Sequence, residues 1–278
     1  MPLVAMTREM GSLGKDVAAG IAERANKKVV YHEIIEPIAN KMRLRKSHVE
    51  RFLEGKSGIW ERLTTDRTSL SIFTADETFR FLRDDSTAVI RGWGAAHLLR
   101  NVPHVIRVRV CAPLETRVKR MMQRLATDNR ETVESEIQLS EEAHTAITKR
   151  HFGVNWRDPE NYDLVLCTER LSVDECVEEI EGMMKRPSFQ ETPESRRLVH
   201  NLSHEWSVRS ALRRDARTTE TAITVAVEDG VASLNGMVDT AEEALAAGEV
   251  AAAVEGIRVV DNQLKSTSST TSRYRREG

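Results

Sequence analysis

The chain has 278 residues, a formal net charge of −2, 40% hydrophobic residues and 30% charged residues. This length allows more than one domain with its own core, and the small net charge provides no basic field to attract nucleic acid. No apolar run approaches the roughly 18 residues of a membrane span, and the N-terminus lacks the pattern of a signal peptide. We therefore expect a cytoplasmic globular protein with no nucleic-acid partner.

The residues that most often bind metal ions show no metal-site pattern here. Cys111, Cys167 and Cys176 are odd in number and widely spaced. The histidines, among them His144 and His151, are not spaced as metal ligands either. We expect the cysteines to be buried thiols in a reducing cytosol.

The opening stretch combines a short apolar strand, a glycine-bearing loop and the start of an amphipathic helix. Leu3–Met6 is the apolar run, Gly11 and Gly14 mark the loop, and Lys15 opens the helix. This order is typical of a phosphate-binding loop, in which backbone N–H groups and the helix dipole face an anion.

The same stretch departs from the strict G-x-x-x-x-G-K-[ST] motif at two places. Glu9 stands where the first glycine belongs, and Asp16 stands where a magnesium-binding hydroxyl belongs. Because a glycine–lysine pair near a helix start often arises by chance, an ordinary strand-to-helix turn is the alternative. Asp16 also has two interpretations, since it could bind Mg²⁺ or be a first-turn acid favoured by the helix dipole.

Four further apolar stretches predict strands, and helical stretches alternate with them up to residue 185. The predicted strands are Lys28–Tyr31, Thr87–Ile90, Val105–Cys111 and Leu164–Cys167. The predicted helices are Glu33–Met42, parts of Arg43–Leu63, Thr74–Leu82, Ala95–Leu99, one that begins at Pro113, and one from the capping box of Ser172 and Glu175 to about Lys185. This alternation predicts a parallel sheet covered on both faces, with ligands at the carboxyl ends of its strands.

The composition changes at Arg186, where a polar segment with two prolines predicts a linker. Beyond the linker we expect a short helix, two strands joined by a tight turn, an alanine-rich helix and a last strand. These elements are predicted at Val208–Leu212, Ala222–Val227, Val231–Val238 after the turn at Asp229-Gly230, Ala241–Val254 and Gly256–Leu264. The final residues are Ser/Thr-rich and then basic, which predicts disorder.

Taken together, the first 185 residues resemble the cytidylate kinase-like family of P-loop kinases. The opening Thr7-Arg8-Glu9-Met10-Gly11-Ser12-Leu13-Gly14-Lys15 is similar to that family's S-R-E-x-G-S-x-G-[RK], in which glutamate at the place of Glu9 is usual. Further similar stretches are Val89–Ala95, Cys111–Arg117, His151–Pro159 and Asn161–Leu164. The resemblance implies an α/β fold with a P-loop kinase-type parallel sheet, and it favours the phosphate-loop interpretation.

Residues 205–266 resemble a BON domain, a small αββαβ module. The residues at its signature places are Gly230, Leu234, Gly236, Gly256 and Val260. The resemblance implies a small α+β domain of a kind associated with membrane-lipid or protein partners, and it implies no catalytic residue. We therefore expect a kinase-like domain at 1–186, a linker at 187–204, a BON-like domain at 205–266 and a disordered tail at 267–278.

The kinase resemblance implies a site for ATP and Mg²⁺. The donor phosphates are expected on Arg8 and on the loop of Gly11, Ser12, Leu13, Gly14 and Lys15, with Asp16 as the candidate Mg²⁺ ligand. Acceptor binding is expected at Arg43, Arg91 and Gly92. The catalytic candidates are Lys15, Arg117, Arg120, Arg124 and Arg150. From the residues alone, a solvated helix face is the alternative for Arg117, Arg120 and Arg124, and a surface patch is the alternative for Arg43.

Two departures from the family pattern bear on catalysis. The family's glycine-arginine pair after the strand that corresponds to Thr87–Ile90 is replaced by Gly92-Trp93, which removes a phosphate-contacting arginine unless Arg91 substitutes. The lid, where such kinases carry Asp-x-x-Arg, reads Glu141-Glu142-Ala143-His144. Histidine is mostly neutral at pH 7 and cannot make the bidentate contact of a guanidinium, so Arg150 and Lys149 are the candidate substitutes.

The sequence supports three functional hypotheses. The first is an ATP- and Mg²⁺-dependent kinase that phosphorylates a nucleoside monophosphate such as CMP and carries a regulatory BON module. The second is a nucleotide-binding sensor with little or no turnover that signals through the BON domain. The third is a lipid- or partner-binding protein whose kinase-like part serves only as a scaffold.

Overall fold

The computed structural model describes residues 2–31, 33–53, 66–92, 94–219 and 221–267. The chain forms two compact units, one of Met1–Thr65 and Asp84–Ser195 and the other of Asp66–Arg83 and Arg196–Gly278. The predicted helical tendency beyond Leu53, the predicted disorder beyond Thr267 and the Trp93 substitution lie outside the described residues.

A five-stranded parallel sheet with the strand order β2-β3-β1-β4-β5 forms the centre of the first unit. Its strands are β1 (Leu3–Arg8), β2 (Lys28–Val30), β3 (Thr87–Arg91), β4 (Val105–Cys111) and β5 (Leu164–Cys167). All five were predicted from apolar runs, with bounds within two residues. Strands β1 and β3 read as continuous apolar runs because helices flank the sheet and bury them. The predicted P-loop kinase-type α/β fold is therefore confirmed.

The helices in the described part of the chain follow in order. They are α1 (Gly14–Arg24), α2 (Ile35–Met42), α3 (Lys46–Leu53), α4 (Arg67–Leu82), α5 (Ala95–Leu98), α6 (Leu114–Leu125), α7 (Arg130–Phe152), α8 (Val173–Met184), α9 (Pro193–Arg214) and α10 (Ala241–Ala252). The capping box of Ser172 and Glu175 at the start of α8 is confirmed. No helix in the described ranges combines the length and the apolar character that a membrane crossing demands.

Helices α1 and α8 pack together on one side of the first sheet. Val17 and Ile21 of α1 join Val177 and Ile180 of α8 in one buried cluster that also includes Val108 of β4. This packing holds the start of α1 against the sheet, so the loop between β1 and α1 is fixed at both of its ends.

The second unit contains a mixed sheet of β6 (Ala222–Glu228), β7 (Val231–Val238), β8 (Val259–Asn262) and β9 (Lys265–Ser266). Strand β7 is antiparallel to β6 and parallel to β8 and β9. Asp229 and Gly230 form the predicted tight turn with φ values of 46° and 79°. The small α+β fold is confirmed, but the single last strand that was predicted is two short strands along β7.

Helix α9 corrects two expectations. The predicted five-residue helix at Val208–Leu212 is part of a 22-residue helix that begins at Pro193, so part of the predicted linker is helical. Proline is compatible with a first helical position because its missing N–H would have no partner there. The apolar periodicity was hidden because serines such as Ser203 and Ser210 occupy buried positions between the apolar ones. The domain boundaries at 186 and 205 stay predictions.

Helix α4 begins at Arg67 rather than at the predicted Thr74, and it belongs to the second unit. Arg213 of α9 pairs with the Asp66 carboxylate at 2.6 Å, and its Nε donates to Ser69 Oγ at 2.8 Å. Ser207 Oγ donates to Asp76 Oδ1 at 2.9 Å. The structure therefore ties α4, which lies between β2 and β3 in sequence, to a helix from the C-terminal part of the chain.

The cap of α4 predicts a pH-dependent contribution to stability. Burial alone would raise the pKa of Asp66, but hydrogen bonds from Ser69 and Arg213 outweigh it and lower the pKa to about 2. A carboxylate with a depressed pKa stabilises the fold above its unfolded value, 3.8, and this contribution is lost as the pH falls towards 2. Asp66→Asn keeps a capping oxygen but removes the charge from a side chain that is 45% exposed.

We expect Asp66→Asn to lower the free energy of unfolding by less than about 1 kcal/mol at pH 7. The difference from wild type should shrink between pH 4 and pH 2 in urea unfolding curves. Asp85→Asn, at an exposed position, is the control and should follow the wild-type curve at every pH. A difference for Asp66→Asn that is constant over this range would contradict the argument.

Candidate functional site: the loop between β1 and α1

The loop of residues 9–13 lies at the carboxyl end of β1 and is braced by its own hydrogen bonds. Glu9 N donates to Val110 O at 3.0 Å, and both Ser12 N and Ser12 Oγ donate to Glu9 O, at 3.2 and 2.8 Å. Gly11 (φ 81°) and Leu13 (φ 59°) adopt left-handed conformations that turn the chain into α1. The loop is therefore a compact turn between two buried elements.

Several backbone N–H groups of this segment have no protein acceptor. In the described part of the chain, no acceptor is bonded to the N–H groups of Met10, Gly11, Leu13, Gly14 and Lys15. The last two belong to the first turn of α1, where N–H groups have no partner within the helix. Such groups are satisfied by water or by a ligand, and at a helix N-terminus they bind phosphate. The donor set fits the phosphates of a nucleotide.

Glycine is required at two positions of this segment because neighbouring protein atoms leave no space for a Cβ. A Cβ on Gly11 would lie 2.8 Å from Arg117 O, and a Cβ on Gly14 would lie 2.7 Å from Arg8 Cβ. Because Gly11 also has a positive φ, we expect Gly11→Ala to lower the free energy of unfolding by about 1–3 kcal/mol, measured by urea denaturation. The control is Gly182→Ala in α8, where a Cβ meets nothing within 4 Å. Equal stability of the two variants would contradict this prediction.

The side chain of Glu9 connects the start of the loop to β4 and α6 through ion pairs. Its Oε1 lies 2.6 Å from Arg109 Nη2, and its Oε2 lies 3.4 Å from Arg117 Nε. Oε2 also accepts a hydrogen bond from Ala112 N at 3.2 Å. The carboxylate that replaces the first motif glycine is buried and binds two arginines, so it positions the loop.

Arg117 is buried, and its guanidinium contacts other protein groups. Nε donates to Ala112 O at 2.9 Å, and Nη2 lies 2.8 Å from Glu141 Oε1 of α7. Glu141 also pairs with Arg157. The alternative of a solvated face is therefore wrong for Arg117, which is 5% exposed. The contacts indicate a brace between the loop and the lid helix, and a catalytic role for Arg117 stays a prediction.

Arg120 makes a second brace, at the end of β5. Its Nη1 and Nη2 donate to Thr168 Oγ1 at 3.0 Å and to Thr168 O at 2.6 Å. Thr168 Oγ1 in turn donates to Ser12 O at 2.8 Å. The loop is thus held from β4, α6 and the residue after β5.

Three predicted arginines are not brought to the loop by any contact in the described ranges. Arg43, Arg124 and Arg150 are exposed there and form no ion pair with described residues. Their proposed roles stay predictions.

Arg91 lies at the carboxyl end of β3, the strand beside β1. Its guanidinium carbon lies 3.8 Å from the centroid of the Tyr31 ring, and the side chain is 6% exposed. Within the described residues, Nε has no hydrogen-bond partner and no carboxylate forms an ion pair with it. Burial and the nearby Arg8 lower the pKa of Arg91. Arg8 and Arg91 therefore bring positive charge to the carboxyl edge of the sheet beside the loop, and Gly92 follows Arg91 directly.

The lid position that carries arginine in related kinases holds a neutral histidine. His144 stacks on Trp156 with ring centroids 4.3 Å apart. Burial lowers the pKa of His144 to about 3, with further lowering from nearby His97 and Arg8. Trp156 is fully buried and its Nε1 donates to Thr145 Oγ1 at 3.0 Å. Trp156 therefore packs against α7, the helix that carries the lid residues.

Asp16 lies exposed in the first turn of α1. Among the described residues, no three His, Cys, Asp or Glu side chains come together as a metal site. Mg²⁺ is commonly bound by one or two carboxylates together with substrate phosphates and water. A single carboxylate beside a phosphate loop fits that pattern, so both interpretations of Asp16 remain open.

Sequence reasoning missed Arg109, Glu141 and Thr168 as residues that hold the site. One signal was available, because Arg107 and Arg109 alternate with valines in β4, an interior strand of the sheet. Interior parallel strands are usually apolar throughout, so partly buried arginines there indicate specific acidic partners. Arg107 indeed pairs with Asp163 at 2.7 Å.

Comparison with models of protein families shows to which family the chain belongs. The model of the cytidylate kinase-like family matches residues 3–170. The chain belongs to the cytidylate kinase-like family. The BON domain model matches residues 205–267 of this cytidylate kinase-like chain. Family membership supports phosphotransfer chemistry in general.

Among the solved structures that are similar to this chain, one with a TM-score above 0.5 supports the fold. An uncharacterised protein from Eubacterium ventriosum is 19% identical, has a TM-score of 0.53 and covers 67% of this chain and 100% of its own. Shikimate kinase from Acinetobacter baumannii in complex with shikimate is 14% identical, with a TM-score of 0.41 over 66% of this chain and 93% of its own. Deoxyadenosine kinase from M. mycoides with bound dCTP is 12% identical, with a TM-score of 0.35 over 65% and 97%. No curated protein sequence matches the chain.

Proposed function

We propose that the chain transfers a phosphoryl group from ATP to a small anionic acceptor, with a nucleoside monophosphate such as CMP as the first candidate. The observation that carries the proposal is the set of backbone N–H groups at the carboxyl end of β1 that have no acceptor among the described residues, namely those of Met10, Gly11, Leu13, Gly14 and Lys15. Phosphoryl transfer requires positioning and positive charge more than covalent chemistry from the protein, and this loop provides both.

The donor phosphates would be bound by these N–H groups and by the exposed ammonium group of Lys15. Glu9, Arg117 and Arg120 keep the loop in shape through their contacts. Mg²⁺, when bound beside Asp16, would neutralise charge on the phosphates. Without the metal, the carboxylate of Asp16 would repel the same phosphates, so activity should depend on magnesium.

The acceptor would bind near Arg91 and the segment that begins at Glu33. A buried cation without a partner is costly, and an anionic ligand removes that cost. Arg91 is buried and stacks on the Tyr31 ring, and within the described residues no carboxylate forms an ion pair with it. The phosphate of a nucleoside monophosphate is such an anion. Arg91 would then provide the contact that the substitution at Trp93 removes.

The alternative is a nucleotide-binding sensor with little turnover that signals through the BON domain. It is favoured by the lid, where a neutral His144 stands in place of arginine. The sensor is also favoured because Arg117 and Arg120 make contacts within the protein that hold the loop. Both functions share the loop and differ in whether the lid supplies charge to the transition state.

A steady-state assay with ATP, Mg²⁺ and a panel of nucleoside monophosphates separates the two functions. We expect ADP release that requires an acceptor and magnesium and that falls by at least about 100-fold in Lys15→Ala. The matched control is Lys119→Ala, at an exposed position of α6. Nucleotide binding without ADP release would support the sensor, and the absence of any nucleotide binding would overturn both.

The partner of the BON domain belongs to the same proposal. A membrane lipid or a protein is the candidate, and the protein would act in the cytoplasm, where ATP and a reducing environment are available. Co-sedimentation of the full chain with anionic liposomes tests the lipid partner. If the chain does not co-sediment with the liposomes, a lipid partner is excluded. The hypothesis of a lipid-binding protein with a kinase-like scaffold is then excluded as well.

A further inference from the structure

Two of the three cysteines lie side by side in the first sheet. Cys111 ends β4, Cys167 ends β5, and the two residues are paired in parallel register. Paired residues on neighbouring strands point their side chains to the same face. Cys167 is exposed and Cys111 is partly exposed, so the expectation of three buried thiols is wrong for this pair.

The positions of the two residues allow a covalent bond between them. Neighbouring strands lie about 4.8 Å apart, within the roughly 4.4–6.8 Å that separates the Cα atoms of a disulfide. Side chains that leave one face in parallel do not have the preferred disulfide geometry, and strained disulfides are more easily reduced. A bond here would therefore be reversible rather than structural.

The pair lies directly beside the residues that hold the loop of residues 9–13. Cys111 O accepts a hydrogen bond from Thr168 N at 2.9 Å, and Thr168 Oγ1 donates to Ser12 O at 2.8 Å. Ala112, which follows Cys111, donates its N–H to Glu9. A bond between the cysteines would act on both attachments of the loop at once.

We propose that Cys111 and Cys167 are a dithiol modification site that a hydroperoxide oxidises to a reversible disulfide. The Cys167 sulfur attacks a peroxide oxygen, the O–O bond breaks, and a sulfenic acid forms with release of water or an alcohol. The Cys111 sulfur then attacks the Cys167 sulfur, an S–S bond forms, and the hydroxyl leaves as water with the Cys111 proton. In total, two thiols are oxidised to one disulfide and one peroxide is reduced.

The order of the two steps follows from the surroundings of each thiol. Burial, and next the charge of Glu9, raise the pKa of Cys111 to about 11. Because the thiolate is the nucleophile, the exposed Cys167 takes the first step and Cys111 resolves it. The inference does not depend on phosphotransfer, since its readout is the oxidation state of the sulfurs.

The test is mass spectrometry of the full chain after limited treatment with hydrogen peroxide and alkylation. We expect a loss of two hydrogens, one remaining free thiol, and a reducible cross-link between the peptides that carry Cys111 and Cys167. Cys176→Ser, which removes the buried third cysteine, should keep the cross-link, and both Cys111→Ser and Cys167→Ser should abolish it.

The proposal is overturned if three free thiols remain after treatment. It is also overturned if Cys167 accumulates as a sulfinic acid while Cys111 stays alkylatable, or if the only disulfide joins two chains. A dithiol reductant should restore the reduced mass in the wild-type protein, and a cross-link that resists it would contradict reversibility.

Discussion

Replacement of Glu9 by glutamine is expected to lower the free energy of unfolding by about 3–5 kcal/mol, because Arg109 loses the one carboxylate that pairs with it among the described residues. Arg117 keeps its pairing with Glu141. The carboxylate is shared by Arg109 and Arg117, whose side chains are 12% and 6% exposed. Glutamine preserves the volume, so the effect reports the lost charge rather than a cavity. Urea denaturation at pH 7 measures it.

The matched control for Glu9→Gln is Glu23→Gln, at an exposed position of α1. This control should change stability by no more than about 0.5 kcal/mol. If Glu9→Gln is folded in the assay, it should also bind ATP more weakly than wild type, since Glu9 positions the loop. A Glu9→Gln protein with wild-type stability would show that the carboxylate is not the fastening point of the loop.

A protein truncated after Arg186 is expected to lose on the order of 3 kcal/mol of stability or more, although residue 186 closes the predicted first domain. The truncation removes Ser207 and Arg213, which make three polar contacts with α4 and its cap. Each such contact contributes roughly 1 kcal/mol. Helix α4 would also lose the rest of the unit to which it belongs.

The melting temperature and the soluble yield of the truncated protein measure this effect. Truncation after Thr267 is the control, because it removes only the Ser/Thr-rich and basic tail and should leave the melting temperature unchanged. The full-length variant Arg213→Met tests the same contacts without truncation and should be destabilised by a smaller amount. If a protein of residues 1–186 has the same melting temperature as the full chain, the contacts of α4 with Ser207 and Arg213 do not contribute to stability as argued.

The behaviour of α4 also bears on how the function should be assayed. Its sequence lies between β2 and β3, in the part of the chain where acceptor binding is proposed. Since the structure assigns this helix to the second unit, the full chain is the appropriate protein for kinetic and binding measurements. An inactive fragment of residues 1–186 would not distinguish a sensor from a damaged kinase.

The sequence by itself determined the features that depend on neighbouring residues. Apolar runs gave Val105–Cys111 and Leu164–Cys167 with the observed bounds, and the capping box marked the start of α8. Gly11 was placed in the turn, and Lys15 and Asp16 at the start of the helix, because strand, turn and helix signals act over a few residues. The predicted fold class followed from the order of these elements.

Only the tertiary structure decided which distant residues meet. It buried Glu9 between Arg109 and Arg117, joined α4 to Arg213, and placed Cys111 beside Cys167. The physical reason is that strand register and side-chain burial depend on packing between segments tens of residues apart, which leaves no periodic signal in either segment. The helical spacing of Arg117 is that of a surface residue. It is buried because Glu9 and Glu141, which are distant in sequence, pair with it.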